Sequence, residues 1–142
     1  MTSWLVGKSI PDAMWQDAVN IFAFDALIQN PDRRSDNPNL FSRGDEIWVY
    51  DHETSFSFLY ALTPSQAYLD KHVFYGRLKS KEIDLSGFME RLNALTYEFF
   101  TSLRADLPTE WMNEKLRRIE AHLLEVRDHS EEFIEGVRRR LA

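Results

Sequence analysis

The sequence predicts a mainly α-helical domain carrying one small β-hairpin, and three observations predict it. Apolar residues recur at helical spacing through residues 12–29 and through most of 84–141. A single hairpin signal lies between, where Leu40-Phe41 and Ile47-Trp48-Val49-Tyr50 flank Ser42-Arg43-Gly44-Asp45. Pro31 and Pro38 bracket the connection before it and stop a helix from running through. The 142 residues form one domain, read as a helix over 10–29, a loop over 30–38, a hairpin over 40–51 and a helical subdomain over 63–142.

The elements follow in order. Ser9-Ile10-Pro11-Asp12 reads as a helix start, with Ser9 as N-cap and proline in the first turn. Trp15, Ala18, Val19, Phe22 and Ala26 fall on one stripe, and Met14, Ile21, Phe24 and Ile28 spread it around the cylinder. A helix apolar nearly all round is buried. Asp25 interrupts that surface and is expected to be satisfied by backbone amides of the following loop. Ser55-Phe56-Ser57-Phe58 alternates like a half-buried extended segment, and Thr63-Pro64-Ser65 starts a short helix reaching about Lys71. One long helix opens at Asp84-Leu85-Ser86 and aligns Phe88, Leu92, Leu95, Phe99 and Leu103. Another begins at Leu107-Pro108-Thr109-Glu110 and carries Trp111, Leu116, Ile119, Leu123 and Val126. Ser130 caps the last, which carries Phe133, Ile134, Val137 and Leu141. The four tryptophans, Trp4, Trp15, Trp48 and Trp111, are taken as core or contact residues.

Composition narrows the function. At 44% apolar and 28% charged residues the chain is globular. A net charge of −6 disfavours nonspecific nucleic-acid binding, which needs a basic face. The absence of cysteine removes disulfides, thiolate catalysis and cysteine-ligated metals, and fits a reducing cytoplasm. No apolar run approaches a membrane span and no signal-peptide core opens the chain, so a soluble cytoplasmic protein is expected.

The functional signal is Asn30-Pro31-Asp32-Arg33-Arg34-Ser35-Asp36-Asn37-Pro38, followed by Trp48-Val49-Tyr50-Asp51-His52-Glu53. Asp32 and Asn37 are five positions apart, and Asp51 ends a β-like run 14 positions past Asn37. This order of Asp, Asn and Asp is that of a kinase catalytic loop and its metal-binding Asp. From Ile21 to Phe58 the chain resembles the HipA-like kinase family, in particular a short-chain branch with an Asn-x-Asp-Arg-x-x-x-Asn-Pro-Asn core. Asp-Arg-x-x-x-Asn is also similar to the catalytic loop of phosphoinositide kinases, and Pro108-Thr109-Glu110-Trp111 looks like a late feature of the same branch.

The resemblance implies the C-terminal lobe of an ATP:protein Ser/Thr kinase, with 10–29 as its central helix and 30–38 as its catalytic loop. It makes Asp32 the catalytic base and Asn37 and Asp51 the Mg²⁺ and nucleotide ligands. Many relatives have His two positions after the Asp, where this chain has Arg34. A guanidinium there can pair with phosphate oxygens bidentately. The N-lobe is the larger departure. The only glycine before Asp32 is Gly7, so no glycine-rich phosphate loop precedes it, and Lys8 stands in Gly-Lys-Ser without the earlier glycine of a P-loop. The expected partners are an N-lobe subunit, or a second copy of the chain at the lobe face, together with a protein substrate; nucleic acid and membrane are not expected.

Other readings stay open. The chain can be a kinase-derived module that binds a protein without catalysis, or a metal hydrolase built on the Asp/Asn cluster. Asp36 is read as a solvated loop carboxylate, His52 as a spacer, and Glu53 as a possible extra carboxylate for metal. His72, His122 and His129 lack metal-ligand spacing. Arg138-Arg139-Arg140 resembles a phosphate or nucleic-acid patch but more simply complements a helix C-terminus.

Overall fold

The computed structural model describes residues 2–4, 9–60 and 67–142, the side chains of Thr2 and Ser3 excepted. Gly7, Lys8 and the expected helix start at Thr63-Pro64-Ser65 lie outside the described residues. Among the described residues the architecture is mainly helical with one small antiparallel sheet, as the periodicity indicates. Helix α1 (Asp12–Leu27) runs through the centre, and Phe22, Ala18 and Ala23 on it are wholly buried. Its N-cap is Pro11, in extended conformation, rather than Ser9. Proline at this position lacks a side-chain oxygen, so the first turn has no side-chain cap.

The sheet has three strands in the order β1 (Thr2–Ser3), β2 (Leu40–Arg43) and β3 (Glu46–Val49), both pairs antiparallel. Strand β1 adds to the expected hairpin. Pairing of Arg43 with Glu46 leaves Gly44-Asp45 as a two-residue turn. Gly44 has φ +59°, a conformation that favours glycine at the first position of such a turn. Alternation then decides the faces. Leu40 and Ser42 are buried and Ile47 and Val49 half-buried, while Phe41 and Trp48, paired in register, point the other way.

The segment expected to be extended at 55–58 instead turns into a 3-10 helix over Ser57–Leu59. Phe56 before it is left-handed, with φ +55°, and its amide donates to the Ile28 carbonyl at 2.5 Å. A second 3-10 turn, Ala67–Lys71, leads into α2 (Tyr75–Leu78).

The long helix expected from residue 84 is two helices, α3 (Ser86–Asn93) and α4 (Tyr97–Asp106). The cause is local capping. The Thr96 side chain accepts from the Phe99 amide at 3.1 Å and starts a new helix, and Arg127 donates to the Leu95 carbonyl at the break at 2.6 Å. The stripe consequently diverges: Phe88 and Leu92 are buried, but Phe99 and Leu103 are exposed and Phe100 is buried instead. After a 3-10 turn at Thr109–Trp111, Asn113 caps α5 (Glu114–Asp128) by accepting from the Leu116 amide. The last helix, α6 (Ser130–Leu141), has His129 at its N-cap and Ser130 as its first residue, and it buries Ile134, Val137 and Leu141. Trp4 is in the core, whereas Trp48 and Trp111 are exposed, which leaves the contact alternative for those two. Among the described residues no helix is long and apolar enough to cross a membrane.

Candidate functional site

The loop after α1 is built on a buried charge pair. Asp25, in the last turns of α1, and Arg33 are both at most 1% exposed, and Arg33 Nε lies 2.5 Å from Asp25 Oδ2. His72 Nε2 is 3.0 Å from the same oxygen, and Asn30 Nδ2 donates to Asp25 Oδ1 at 3.0 Å. Asp25 is therefore satisfied by three side chains and not, as the sequence suggested, by loop amides. Burying a carboxylate costs several kcal/mol unless charge and hydrogen bonds compensate, on the order of magnitude seen for buried pairs. Burial works to raise the Asp25 pKa, but the hydrogen bonds from His72 and Arg33 and the adjacent cation hold it below the ordinary aspartate value.

Arg33 distributes its remaining donors to the chain on either side of the site. Nη1 donates to the Asn39 carbonyl at 2.6 Å and reaches the Tyr50 carbonyl at 3.5 Å. Nη2 donates to His52 Nε2 at 2.9 Å. One side chain thus ties α1, the loop and the residues around Asp51 together. His52 is a partner of this hub and not a spacer. Because the guanidinium can only donate, His52 Nε2 must accept, and partial burial and the Arg33 charge both lower its pKa. The same logic fixes His72. The Phe74 amide donates to His72 Nδ1 at 3.1 Å, so a neutral imidazole presents Nε2–H to Asp25. Burial, against the opposing pull of Asp25, pushes the His72 pKa down.

Asp32 is placed by the backbone this hub supports. Asn30 Oδ1 accepts from the Asp32 amide at 3.1 Å, an Asx turn that Asn-Pro-Asp favours. The chain then closes on itself, with the Arg34 amide donating to the Asn37 carbonyl and the Asn37 amide to the Arg34 carbonyl, each at 3.1 Å. Across this tight turn Asn37 Nδ2 donates to Asp32 Oδ2 at 3.0 Å, joined by Asn39 Nδ2 at 3.3 Å. Asn39 holds φ +48°, a left-handed conformation that asparagine tolerates, and this turns its amide toward Asp32. Arg34 Nη1 lies 3.4 Å from Asp32 Oδ1, while its Nε and Nη2 pair with Asp36 at 3.0 and 3.4 Å. Asp36 is thus exposed but paired, and the Arg34 hydrogen bond lowers its pKa.

Of the four residues singled out in the sequence, Asp32, Arg34 and Asn37 are joined by direct contacts. Asp51 follows at φ +56°, exposed, and among the described residues its carboxylate makes no hydrogen bond or ion pair with the other three. Sequence reasoning missed Arg33, Asn39 and His72. A usable signal existed for the first: an acidic residue on an otherwise apolar helix demands a cation, and Arg33 lies eight positions on.

The family model for HipA-like kinases matches residues 2–135. The chain belongs to the HipA-like kinase family. No curated protein matches it, and no solved structure matches it. In this HipA-like chain the donors suited to Mg²⁺ are hard oxygens: Asn37 Oδ1, left over when Nδ2 turns to Asp32, and the Asp51 carboxylate, which has no ion pair among the described residues. Their chemistry fits the ion. Among the described residues no cluster of three His, Cys, Asp or Glu side chains could hold a metal ion, so Asn37 and Asp51 would need oxygens from a nucleotide to complete a coordination shell. The other carboxylate nearby, Glu53, is exposed.

Proposed function

We propose that this chain is the catalytic-loop lobe of a HipA-like Ser/Thr protein kinase, acting in Mg²⁺-dependent phosphoryl transfer from ATP. The observation that carries the reading is the Asp32 carboxylate, held by the amides of Asn37 and Asn39 on a loop anchored through Arg33 to buried Asp25. A carboxylate fixed in this way can orient an acceptor hydroxyl and take its proton at Oδ1, the oxygen not engaged by the two amides. Arg34 would contact the transferred phosphate by exchanging its pairing with exposed Asp36 for phosphate oxygens, and its solvent-side pairing supports this role. Asn37 and Asp51 would hold Mg²⁺, which neutralises charge on the phosphate oxygens when bound. No glycine-rich loop lies within residues 1–31, so the clamp over the nucleotide comes from outside these residues.

Three measurements test this. Amide NMR shifts on titrating Mg²⁺ with a non-hydrolysable ATP analogue are expected to centre on Asn37 and Asp51; an unchanged spectrum there overturns the assignment. Phosphate transfer measured with the clamp-bearing partner present is expected to fall by on the order of 10²–10⁴ in Asp32→Asn. Turnover by the lone chain at an ordinary kinase rate, about 1–100 s⁻¹, would refute its dependence on an external clamp.

A second reading, a catalytically silent binding module, is favoured by the hairpin. Phe41 stacks between Trp48 (ring centroids 6.1 Å) and Tyr50 (6.2 Å), and both flanking rings are about half exposed. Such a face needs a cover. This reading expects Asp32→Asn and Asp51→Asn to leave the biological effect intact.

A further inference from the structure

Three adjoining hollows run from the catalytic loop across α2 to the end of α6. The first, about 520 Å³, is lined by Arg34, Ser35, Asp36 and Lys71. It shares Ser35 and Lys71 with the second, about 440 Å³, which in turn shares Asp70 and Tyr75 with the third, about 510 Å³. Six cations line this path: Arg34, Lys71, Arg77, Lys79, Arg139 and Arg140. Among the described residues only two acidic side chains do, and each is already paired, Asp36 with Arg34 and Asp70 with Arg140, both at 3.0 Å. Lys71, Arg77, Lys79 and Arg139 have no carboxylate within ion-pair distance among the described residues. The excess is local, because the whole chain carries −6. Cations concentrated in a cleft of an acidic protein mark where an anion of matching shape is received.

We infer that this groove receives an acidic segment of the protein substrate, so that the acceptor Ser or Thr is presented to Asp32 by Asp or Glu residues lying along α2 and α6. The inference rests on the kinase reading and supplies its substrate class. The position argues for it: the path begins at Arg34, whose Nη1 is 3.4 Å from Asp32 Oδ1. Nucleic acid suits the groove less well. Among the described residues its aromatic rings are Tyr75, half-buried with Lys79 Nζ 5.5 Å from its centroid, and the buried imidazole of His72, so it offers little open face for base stacking. The net negative charge of the chain also opposes a phosphate polymer extending beyond the groove.

The test is fluorescence anisotropy on the full chain without nucleotide, so its outcome is independent of phosphate transfer. The probes are a fluorescein-labelled peptide with one Ser flanked by Glu, the same peptide with Gln for Glu, and a single-stranded DNA of equal charge. The Glu peptide is expected to bind at least about tenfold tighter than the Gln peptide, and salt is expected to weaken it. Lys71→Glu with Arg77→Glu removes that preference, and the milder Lys71→Gln with Arg77→Gln weakens it. Arg43→Glu with Arg117→Glu, an equal charge change at exposed sites away from the groove, leaves it. Circular dichroism confirms that each variant is folded. Equal affinity for the Glu and Gln peptides, equal loss in the groove and control variants, or tighter binding of the DNA overturns the inference. Failure of the kinase reading shows instead as transfer indifferent to Asp32→Asn, which leaves this binding untouched.

Discussion

Arg33 Nε and Asp25 Oδ2 meet at 2.5 Å with both side chains fully buried, directly behind the loop that carries Asp32. The pair holds the site's shape as much as its stability, because the same guanidinium also reaches the Asn39 carbonyl and His52. Arg33→Met is expected to cost about 3–5 kcal/mol, the range for breaking a buried pair and leaving one charge behind. Asp25→Leu combined with Arg33→Met should recover only part of that, since Asn39 and His52 still lose their donor. Urea denaturation of the single and double variants measures both values.

The histidines around this pair give stability a pH dependence. His72 titrates below its ordinary value in the folded chain and near 6.5 when unfolded, so the unfolded state binds more protons between the two. Stability from this group is complete above the unfolded value and is lost as pH falls from 6.5 through the folded pKa. The groups facing His72 are Asp25, Arg33, the Phe22 ring and the Phe74 amide, and protonation of Nδ1 would set a second donor against that amide. His52, lowered by burial and by Arg33, adds in the same direction. Asp25, with its own lowered pKa, withdraws its contribution only under more acidic conditions, below about 3.8. Thermal melts between pH 7.5 and 5.5 are expected to show Tm falling with acidification, with a shallower slope in His72→Gln.

What could be read without the fold follows the strength of the local signal. Helix α1 was legible because its apolar positions cover most of the cylinder, and the β2–β3 turn because Gly44 supplies a backbone conformation few residues share. The division between α3 and α4 was hidden: the apolar spacing continues through Leu95, and a single Thr96 side chain decides the break. Phe56 in left-handed conformation has no sequence signature, since its cost is offset by tertiary bonds to the α1 terminus. At the site, Asp32, Arg34 and Asn37 were legible as a motif because they are local. Arg33 was signalled only indirectly, by the acidic Asp25 on an apolar helix, and His72 was not legible, because a core histidine 47 residues from Asp25 is defined only by packing.

Asn39 separates positioning from chemistry. Asn39→Gly keeps a residue that accepts φ +48° and keeps the carbonyl that Arg33 binds, but removes the amide donated to Asp32. The expected result is a stability change within about 1 kcal/mol, as for loss of one partly exposed hydrogen bond. Transfer should fall by less than in Asp32→Asn, and its Mg²⁺ dependence should stay unchanged. Asn37→Ala should instead shift the Mg²⁺ requirement upward, because it removes a proposed ligand as well as a hydrogen bond to Asp32. Rates measured across a Mg²⁺ series distinguish the two.

The outer face of the sheet makes the last prediction. Phe41 on β2, Trp48 on β3 and Tyr50 just past β3 form a stacked group in which Trp48 and Tyr50 are 47% and 49% exposed, next to Asp51. Two large rings half open to water, stacked on a third, favour a cover, and the nucleotide-clamping partner, or failing it a second copy of the chain, is the proposed cover. Trp48→Glu is expected to cost the fold little, because the side chain is half solvated and faces away from the core. It should nonetheless weaken association by at least about tenfold, the loss typical of one aromatic anchor at an interface. Sedimentation velocity across a concentration series, with and without the partner, reads that loss. Association unchanged in Trp48→Glu and Tyr50→Glu would place the contact on another surface.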